Sequence, residues 1–257
     1  MGILPPGSRI LAAAALLTLC GAASDGRQSG FDLMSPESQA MQRDDTANPG
    51  MLWVQDGADL WAAKAGTAGR SCADCHSDAA TSMRGVAARY PAWSAETGDP
   101  IDLQGRVNLC RKTRQGEPPF PFESRELLAL TAYVANQSRG LPIAPDDDYR
   151  LTPARERGGE LFRRRIGQLN LSCTICHDDN AGKRLGSAPI PQAHPTGYPL
   201  YRLEWQSLGS LQRRFRNCMT GVRAEPYPLG APEYVELELY MMSRAASMPL
   251  ETPAVRP

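Results

Sequence analysis

Histidine is scarce in this chain, and neither sign of charge dominates it. Only three of the 257 residues are histidine, and 28 lysines and arginines balance 28 aspartates and glutamates. A formal net charge of zero leaves no positive excess to attract nucleic acid, so we expect no nucleic-acid partner. Three histidines are also too few to supply two imidazole ligands to each of two metal centres.

The chain also lacks a hydrophobic run long enough to cross a bilayer. The apolar segment from Ile10 to Leu19 is shorter than the roughly 20 residues that a membrane helix needs. It follows Arg9 and precedes the small residues Gly21-Ala22-Ala23, a pattern typical of a cleaved export signal. The sequence therefore predicts a signal peptide over residues 1–23 and no membrane span. A membrane anchor and a lipoprotein attached through Cys20 are the alternatives.

Two copies of Cys-x-x-Cys-His stand out among the seven cysteines. They are Cys72-Ala-Asp-Cys75-His76 and Cys173-Thr-Ile-Cys176-His177. The pattern is typical of covalent haem c attachment, in which both thiols form thioethers and the adjacent histidine binds iron. We expect two covalent haem c groups, attached through Cys72, Cys75, Cys173 and Cys176 and bound by His76 and His177. Because such haems are attached outside the cytoplasm, the motifs agree with export to the periplasm.

An internal repeat surrounds the two motifs. The segments Gly57-Ala-Asp-Leu-Trp61 and Gly158-Gly-Glu-Leu-Phe162 precede them at the same distance, and Cys110 matches Cys218 farther on. Each half therefore consists of a helix, a haem motif, a long loop with one cysteine, and a second helix. The sequence predicts a mainly α fold made of two tandem class I cytochrome c-like domains with long loops, each binding one covalent haem c.

The predicted domain boundaries follow this repeat. They are an extended N-terminal arm over residues 24–48, a first domain over 49–140, a linker over 141–151 and a second domain over 152–257 that contains the active site. Ser124 is expected to cap the last helix of the first domain, and Thr152-Pro153 to open the first helix of the second. The segment Val235-Glu-Leu-Glu-Leu239 alternates like a strand, but its counterpart has helical spacing, so we expect a helix.

The ligand on the second face of each iron has to come from elsewhere in the repeat. His194 lies in a proline-rich loop, where we expect an exposed side chain. Met83 lies too close to the first motif, and Met219 has no counterpart in the first half. Cys110 and Cys218 do match, and each lies where class I cytochromes carry their distal ligand. We expect Cys110 to bind the first iron and Cys218 the second; a disulfide between them and free structural cysteines are the alternatives.

Arginines crowd the sequence around Cys218. They are Arg213, Arg214, Arg216 and Arg223. Nearby guanidinium charge favours a thiolate and can bind an oxyanion through two hydrogen bonds. Pairing with haem propionates, or a solvated basic face, is the alternative. Basic residues also surround Cys110, so charge alone does not distinguish the two sites.

Together these residues resemble the SoxA family, the catalytic haem subunit of the SoxAX cytochrome of bacterial thiosulfate oxidation. The resemblance rests on both haem motifs, on the matched Cys110, and on Arg214-x-x-x-Cys218 followed by Met-Thr-Gly-Val-Arg223. It implies His/Cys ligation at both haems, with Cys218 carried as a catalytic persulfide. It also implies that Arg214 binds the substrate; from the arginine cluster itself, Arg216 and Arg223 are candidates to support it.

The resemblance implies an enzyme, a haem-dependent L-cysteine S-thiosulfotransferase. Such an enzyme couples thiosulfate oxidatively to a cysteine of the carrier complex SoxYZ. Two electrons then pass by way of haem to the monohaem subunit SoxX and a cytochrome c acceptor. Two other functions stay open on the residues alone. A dihaem electron-transfer cytochrome without bond chemistry predicts methionine as the distal ligand, and a dihaem peroxidase needs one iron with an open face.

Overall fold

The computed structural model describes residues 1–2 and 26–257 of the chain. The predicted signal peptide over residues 1–23 therefore lies, apart from its first two residues, outside the described residues, and so does Cys20. The described fold is mainly helical, with short sheets of two or three strands. The mainly α fold predicted from the sequence is confirmed.

Residues 51–136 form a unit that we call the first lobe. A short helix precedes it, and a hairpin lies between its motif helix and its cysteine-bearing helix. In chain order the elements are α1 (Pro36–Arg43), α2 (Met51–Ala62), α3 (Cys72–His76), α4 (Ala79–Ser82), β1 (Ala92–Ser94), β2 (Asp99–Ile101), α5 (Leu103–Cys110) and α6 (Arg125–Asn136). A π-helical turn, Arg111–Gln115, follows α5 directly.

Residues 152–244 form the second lobe, in which the same order of elements recurs. A small extra hairpin and a C-terminal strand are added to it. The elements are α7 (Thr152–Arg163), α8 (Cys173–His177), β3 (Arg184–Leu185), β4 (Ala188–Pro189), β5 (Leu200–Arg202), β6 (Ser207–Gly209), α9 (Leu211–Gly221), α10 (Pro232–Arg244) and β7 (Ala254–Arg256). Strand β5 pairs antiparallel with β6 and parallel with β7.

Each lobe is built on a close crossing of its first and last helices, and a glycine makes that crossing possible. A Cβ atom on Gly57 would fall well inside van der Waals contact with the carbonyl oxygen of Ala129 on α6. A Cβ atom on Gly158 would collide in the same way with the carbonyl oxygen of Glu236 on α10. The helix backbones thus approach closely at the repeat-matched positions.

The hairpin of each lobe packs on the helices of the other lobe. Trp93 of β1 contacts the buried cluster of Leu151, Ala154 and Leu239 in the second lobe. Tyr201 of β5 lies at the matched position and packs with Trp53 in the first lobe, their ring centroids 5.8 Å apart. The lobes therefore complete one another's cores.

The local predictions for the lobes hold with one shift. Ser124 caps α6, accepting a hydrogen bond from the Leu127 amide at 3.3 Å. The alternating segment over residues 235–239 lies inside α10 and is helical, as expected. Thr152, however, is the first residue of α7 rather than its cap, a position that Leu151 takes.

The expectation of an extended N-terminal arm is wrong for part of that segment. Residues 36–43 form α1, which Ser35 caps through its side chain. The helix packs beside the C-terminal strand, where Gln42 Oε1 accepts a hydrogen bond from the Val255 amide at 3.1 Å. Asn48 Nδ2 donates to the carbonyl of Pro253 at 2.8 Å. The polar composition of this segment gave no sign of the helix, because the residues that pack against it lie near the C-terminus.

Candidate functional site

Both Cys-x-x-Cys-His motifs fold as one helical turn with a serine cap. Ser71 caps α3 in a capping box with Asp74, and Ser172 accepts from the Ile175 amide to cap α8. Residues three and four apart lie on the same face of a helix. Each motif therefore presents its two thiols and its imidazole on one face, as covalent attachment of a haem requires.

His177 is held in an orientation that leaves one ring nitrogen for a ligand. Its Nδ1 lies 2.7 Å from the carbonyl oxygen of Pro191 and donates to it. That bond directs Nε2 away from the backbone, the usual arrangement of a metal-binding histidine. Burial lowers the pKa of His177, partly offset by this hydrogen bond, and Arg214 lowers it further. The imidazole is therefore neutral at neutral pH, the form that binds iron.

In the first lobe the structure places Cys110 beside the attachment cysteines. Cys110 is the last residue of α5 and is half-buried. Burial raises the pKa of the Cys72 thiol, and the charge of Cys110 raises it further. Arg111 lies over the Phe120 ring, 3.5 Å from its centroid, and thus covers one side of this site. The predicted iron ligand and the motif are therefore neighbours.

In the second lobe Cys218 lies beside the attachment cysteine Cys173. Burial raises the pKa of Cys173 to about 12, and Cys218 is the largest electrostatic cause after burial. Cys110 and Cys218 are both free thiols, each near the motif of its own lobe. The disulfide alternative finds no support in this arrangement, because the two cysteines belong to different sites.

Apolar side chains wall both sites, and the residues present fit a haem. Cys72 packs against a first-lobe cluster, and Cys173 against a second-lobe cluster that includes half-buried Met219. The buried members are Trp61, Ala79, Leu130 and Val134 in the first and Phe162, Leu211, Phe215, Tyr234, Leu237 and Met241 in the second. Aligned thiols, apolar walls and a facing sulfur are what a covalently bound haem needs; the second site adds the oriented imidazole of His177, whereas His76 of the first site is exposed.

Of the arginines near Cys218, Arg214 is the one directed at the site. It lies four residues before Cys218 and so shares its face of α9. Its charge lowers the pKa of His177 and of Tyr198, after the larger effect of burial on each. Among the described residues no carboxylate pairs with Arg214, whereas its neighbour Arg213 lies 4.0 Å from Glu123.

The other two predicted arginines are engaged or placed elsewhere. Arg216 lies on a different face of α9, and its guanidinium donates to the carbonyl of Tyr227 at 2.8 Å. Arg223 lies beyond the end of α9, is exposed and has a positive φ of 58°. The geometry therefore does not support either as a substrate contact.

Sequence reasoning missed two residues that join the site from the hairpin side. Tyr198 packs in the second-lobe cluster, and burial followed by the charge of Cys218 raises its pKa. Burial, and next the charge of Arg214, lower the pKa of Arg202, whose Nε is buried without a hydrogen-bond partner among residues 26–257. Tyr198 matches Tyr90 in the repeat, and that match is the signal that could have found it.

Known proteins resemble this chain over nearly its whole length. Residues 56–143 match the SoxA/TsdA cytochrome c domain. The L-cysteine S-thiosulfotransferase subunit SoxA of Pseudaminobacter salicylatoxidans is 41% identical over 89% of this chain and 80% of its own length. That of Rhodovulum sulfidophilum is 34% identical over 90% of this chain and 81% of its own. The chain belongs to the SoxA family.

The structural comparison agrees with this assignment. A crystal structure of SoxXA from P. pantotrophus superposes with a TM-score of 0.86 at 33% identity, covering 90% of this chain and 87% of that one. As a cytochrome c domain, the matched part of this SoxA-family chain carries covalent haem c. Throughout the described part of the chain, no helix combines the length and apolarity needed to cross a membrane.

His194 lies where the sequence suggested, in a loop. Its Nδ1 is 2.9 Å from the carbonyl oxygen of Gln28 in the N-terminal arm. It also lines an open cavity of about 450 Å³ together with His177 and Arg244. The Arg244 guanidinium pairs with Asp178, next to His177, at 2.5 Å. His194 therefore ties the arm to the edge of the second site.

Proposed function

We propose that this chain is a haem-dependent L-cysteine S-thiosulfotransferase, with its active site at Cys218 in the second lobe. The observation that carries the proposal is the placement of Arg214 one helical turn from Cys218, with Cys173 of the haem motif beside that sulfur. The SoxA relatives are S-thiosulfotransferase subunits, which supports an enzyme over a plain electron carrier. A carrier also favours methionine as distal ligand, whereas a cysteine stands at both matched positions.

We further propose two covalent haem c groups in two tandem cytochrome c-like domains. The recurrent order of helix, motif, hairpin and cysteine-bearing helix supports domains over residues 49–140 and 152–257, joined by the linker 141–151. Cys72, Cys75 and His76, with Cys110, would hold the first haem. Cys173, Cys176 and His177, with Cys218, would hold the second. A haem supplies an acceptor that takes one electron at a time.

The overall reaction joins two sulfur atoms and releases two electrons. A carrier thiol and thiosulfate (S₂O₃²⁻) give a carrier S-thiosulfonate (R–S–S–SO₃⁻), one proton and two electrons, so atoms and charge balance. In a first step thiosulfate and the Cys218 thiolate form Cys218–S–S–SO₃⁻ with loss of the two electrons. The carrier thiolate then attacks the central sulfur and releases the Cys218 thiolate. If Cys218 carries a persulfide, its reactive side chain is longer by one sulfur atom, and the overall balance of atoms and electrons is unchanged.

The residues around Cys218 give each step its geometry. Arg214 and Arg202 bring two positive charges to a site that lacks a matching carboxylate for Arg214, which favours an oxyanion there. Tyr198 offers a neutral phenol beside the sulfur, because burial keeps its pKa above the ordinary value. Holding the reacting sulfurs in contact contributes part of the rate enhancement.

The proposed setting follows from the same resemblance. We propose a periplasmic location, a monohaem SoxX partner, a SoxYZ carrier complex as the second substrate, and a cytochrome c acceptor. The crystal structure of SoxXA that this chain resembles supports SoxX as a partner. The predicted export signal supports the location.

The test of the proposed function is Cys218→Ala in the haem-loaded protein with its partner subunit. We expect thiosulfate-dependent, carrier-dependent reduction of cytochrome c to be lost, while pyridine-haemochrome absorbance still reports both haems. Asn217→Ala, an exposed neighbour on the same helix, serves as the matched control and is expected to turn over normally. Full turnover by Cys218→Ala would contradict the proposal. Mass spectrometry of the peptide containing Cys218 tests the persulfide, which adds one sulfur atom.

A further inference from the structure

A cavity of about 50 Å³ lies where the two lobes meet, and two carboxyl groups face it. Matched positions of the repeat line it from both sides. These include Asp102, Leu103 and Thr131 in the first lobe and Ser210, Leu211 and Glu238 in the second. Asp102 and Glu238 thus line the same cavity from opposite lobes.

Asp102 binds the first turns of both cysteine-bearing helices. It is 4% exposed, and it caps α5 by accepting a hydrogen bond from the Gly105 amide at 2.6 Å. Its other carboxyl oxygen accepts from Nε2 of Gln212, in the first turn of α9, at 2.7 Å. The Gly230 amide donates to Oε1 of Gln212 at 2.7 Å, which fixes the amide so that its NH₂ faces Asp102. Helices α5 and α9 are therefore tied through one carboxylate.

Glu238 brings a second carboxyl group into the same space from α10. Burial raises its pKa well above the ordinary value, and the charge of Asp102 raises it further. Burial also raises the pKa of Asp102, but the two amide donors oppose that rise. Two carboxylates lining one small cavity cannot both ionise without strong repulsion. Asp102 has the donors that favour its charged form, so Glu238 is the more readily protonated of the two.

No cation of the protein neutralises this pair within the cavity. Its lining contains no lysine, arginine or histidine among the described residues, and its other titratable groups are the phenols of Tyr90 and Tyr198. Charged groups on the surrounding elements lie at the surface or pair with one another. They include Arg89 after α4, Asp99 on β2, the Arg106–Glu96 pair at α5, the Arg157–Glu236 pair on α7 and α10, and the Arg213–Glu123 pair near the start of α9, while Arg214 on α9 is directed at the Cys218 site.

An unpartnered amide oxygen also faces this space. Gln104 is 6% exposed, lines the same cavity, and its Oε1 has no hydrogen-bond partner among the residues that the structure describes. Gln104 occupies the repeat position that Gln212 occupies in the second lobe. A buried acceptor of this kind calls for a donor. A water molecule in a cavity of this size, or the protonated carboxyl itself, supplies one.

We propose that Asp102 and Glu238 form a proton-binding site between the lobes, with the single proton on Glu238, and that this proton keeps a second negative charge away from the Asp102 carboxylate that ties the first turns of the two cysteine-bearing helices. The ligand is a proton, and the site is complete within this chain. Loss of the proton places two negative charges in the interface, and the lobes are then pushed apart where α5, α9 and α10 meet.

The sign of the pH dependence follows from the proton balance. In the unfolded chain Glu238 ionises near its ordinary pKa of about 4.3. In the folded chain its pKa is raised, so unfolding between the two pKa values releases a proton from Glu238. Stability from this site is complete at low pH and decreases as pH rises towards the folded pKa, about tenfold in the folding equilibrium constant per pH unit.

The test compares wild type with Glu238→Gln in the haem-loaded protein. Glutamine keeps the shape and a donor towards Asp102 but cannot ionise. The free energy of unfolding is measured with urea from about pH 5 to about pH 8. With rising pH, the variant should lose less of it than wild type does, by the amount that corresponds to one proton released on unfolding. Asp99→Asn, an exposed carboxylate on β2, is the matched control and should leave the slope unchanged. The difference between proteins removes pH effects that they share, including those of the haem ligands.

Infrared difference spectra of the folded proteins give a second readout that does not need unfolding. Wild type should show the carbonyl stretch of a protonated carboxylic acid at neutral pH, and Glu238→Gln should lack it. Absence of that band in wild type, or equal slopes in wild type and variant, would overturn the proposal. If Glu238→Gln does not fold, the wild-type band alone decides. A shift of wild-type stability on adding Ca²⁺ or a chelator would also overturn it, because the pair would then hold a metal ion.

Discussion

Arg202 carries a positive charge in surroundings that disfavour it. Its side chain is 19% exposed, its Nε has no hydrogen-bond partner among the described residues, and burial lowers its pKa. Glu204 pairs with it at 3.1 Å but is itself largely exposed, so the pair contributes little. The charge of Arg214 adds to the disadvantage. Functional sites commonly retain such destabilised groups, and an anion bound between Arg202 and Arg214 would relieve both.

We predict that Arg202→Met and Arg214→Met each raise the thiosulfate concentration for half-maximal rate about tenfold to a hundredfold, the worth of one or two charge-assisted hydrogen bonds. Because Arg202 is charged at a disadvantage, its replacement should leave thermal stability unchanged or raise it. Steady-state kinetics with varied thiosulfate and a thermal melt of each protein measure the two effects.

Arg213→Met is the control for these variants. Arg213 is adjacent to Arg214, but it stacks on Trp205 at 4.2 Å and pairs with Glu123. It should lose stability and keep its dependence on thiosulfate. A loss of haem from Arg202→Met, with unchanged substrate dependence, would assign Arg202 to a haem propionate instead.

Cys218 and Arg202 show which site residues could be predicted from the sequence and which could not. The motif cysteines and their histidines are adjacent in sequence because one helical turn has to present them together. Cys218 and Arg214 are four apart and share a helix face. Arg202 and Tyr198 reach the site only because β5 folds back beside α9, and a linear pattern carries no sign of that approach.

At the scale of elements, the two glycine crossings decide how closely the helices of each lobe pack. Gly57 allows α2 to approach α6, and Gly158 allows α7 to approach α10. Aromatic pairs lie beside each crossing. Trp61 and Tyr133 have ring centroids 5.8 Å apart, and Phe162 and Tyr240 have centroids 5.5 Å apart. The matched crossings thus position both haem motifs relative to the last helix of each lobe.

We predict that Gly158→Ala destabilises the protein by about 1–3 kcal/mol, the usual effect of overpacking a close contact. The added Cβ meets backbone atoms of Glu236, which cannot move without shifting α10. This loss should exceed the gain in helix propensity, which is about 1 kcal/mol. Urea unfolding measures the difference.

Gly221→Ala is the matched control, because a Cβ there meets no atom within 4 Å. It should be neutral or slightly stabilising. Equal stability of Gly158→Ala and wild type would show that α7 and α10 can separate without loss.

Helices of the lobes were predictable, whereas the sheets were not. The apolar stripe at helical spacing specified α6, and the repeat then specified α10 against its own alternating pattern. The hairpin β1–β2 and the hairpin β5–β6 have three-residue strands, too short for alternation to register. Strand β7 pairs with β5, although most of the second lobe separates the two strands in sequence. No local pattern predicts a contact of that kind.

At the scale of the whole molecule, the two ends of the segment 26–257 pack against one another. Strand β7 lies between β5 and the N-terminal helix α1, and Val255 is fully buried there. Arg256 pairs with Glu251 at 2.6 Å and with Gln42 of α1. Since β5 carries Arg202, its pairing with β7 helps to hold that side of the candidate site in place.

We predict that removing residues 254–257 destabilises the protein and frees the N-terminal arm. The burial of Val255 alone is worth about 1.5–3 kcal/mol. Limited proteolysis should then cut within residues 26–48 faster than in the intact protein, and the half-saturating thiosulfate concentration should rise. Removal of the exposed Pro257 alone is the control. An arm that stays protected without β7 would contradict this prediction.

The matched residues at the cavity have diverged, and this limits how the two lobes can be exchanged. Asp102 stands where the second lobe has Ser210, and Thr131 stands where it has Glu238. A molecule assembled from two copies of the first lobe would bring together two aspartates and no glutamate. Two copies of the second would bring together two glutamates and no aspartate. If the halves descend from one duplicated ancestor, neither lobe can now take the place of the other, because each supplies a different residue to the shared cavity.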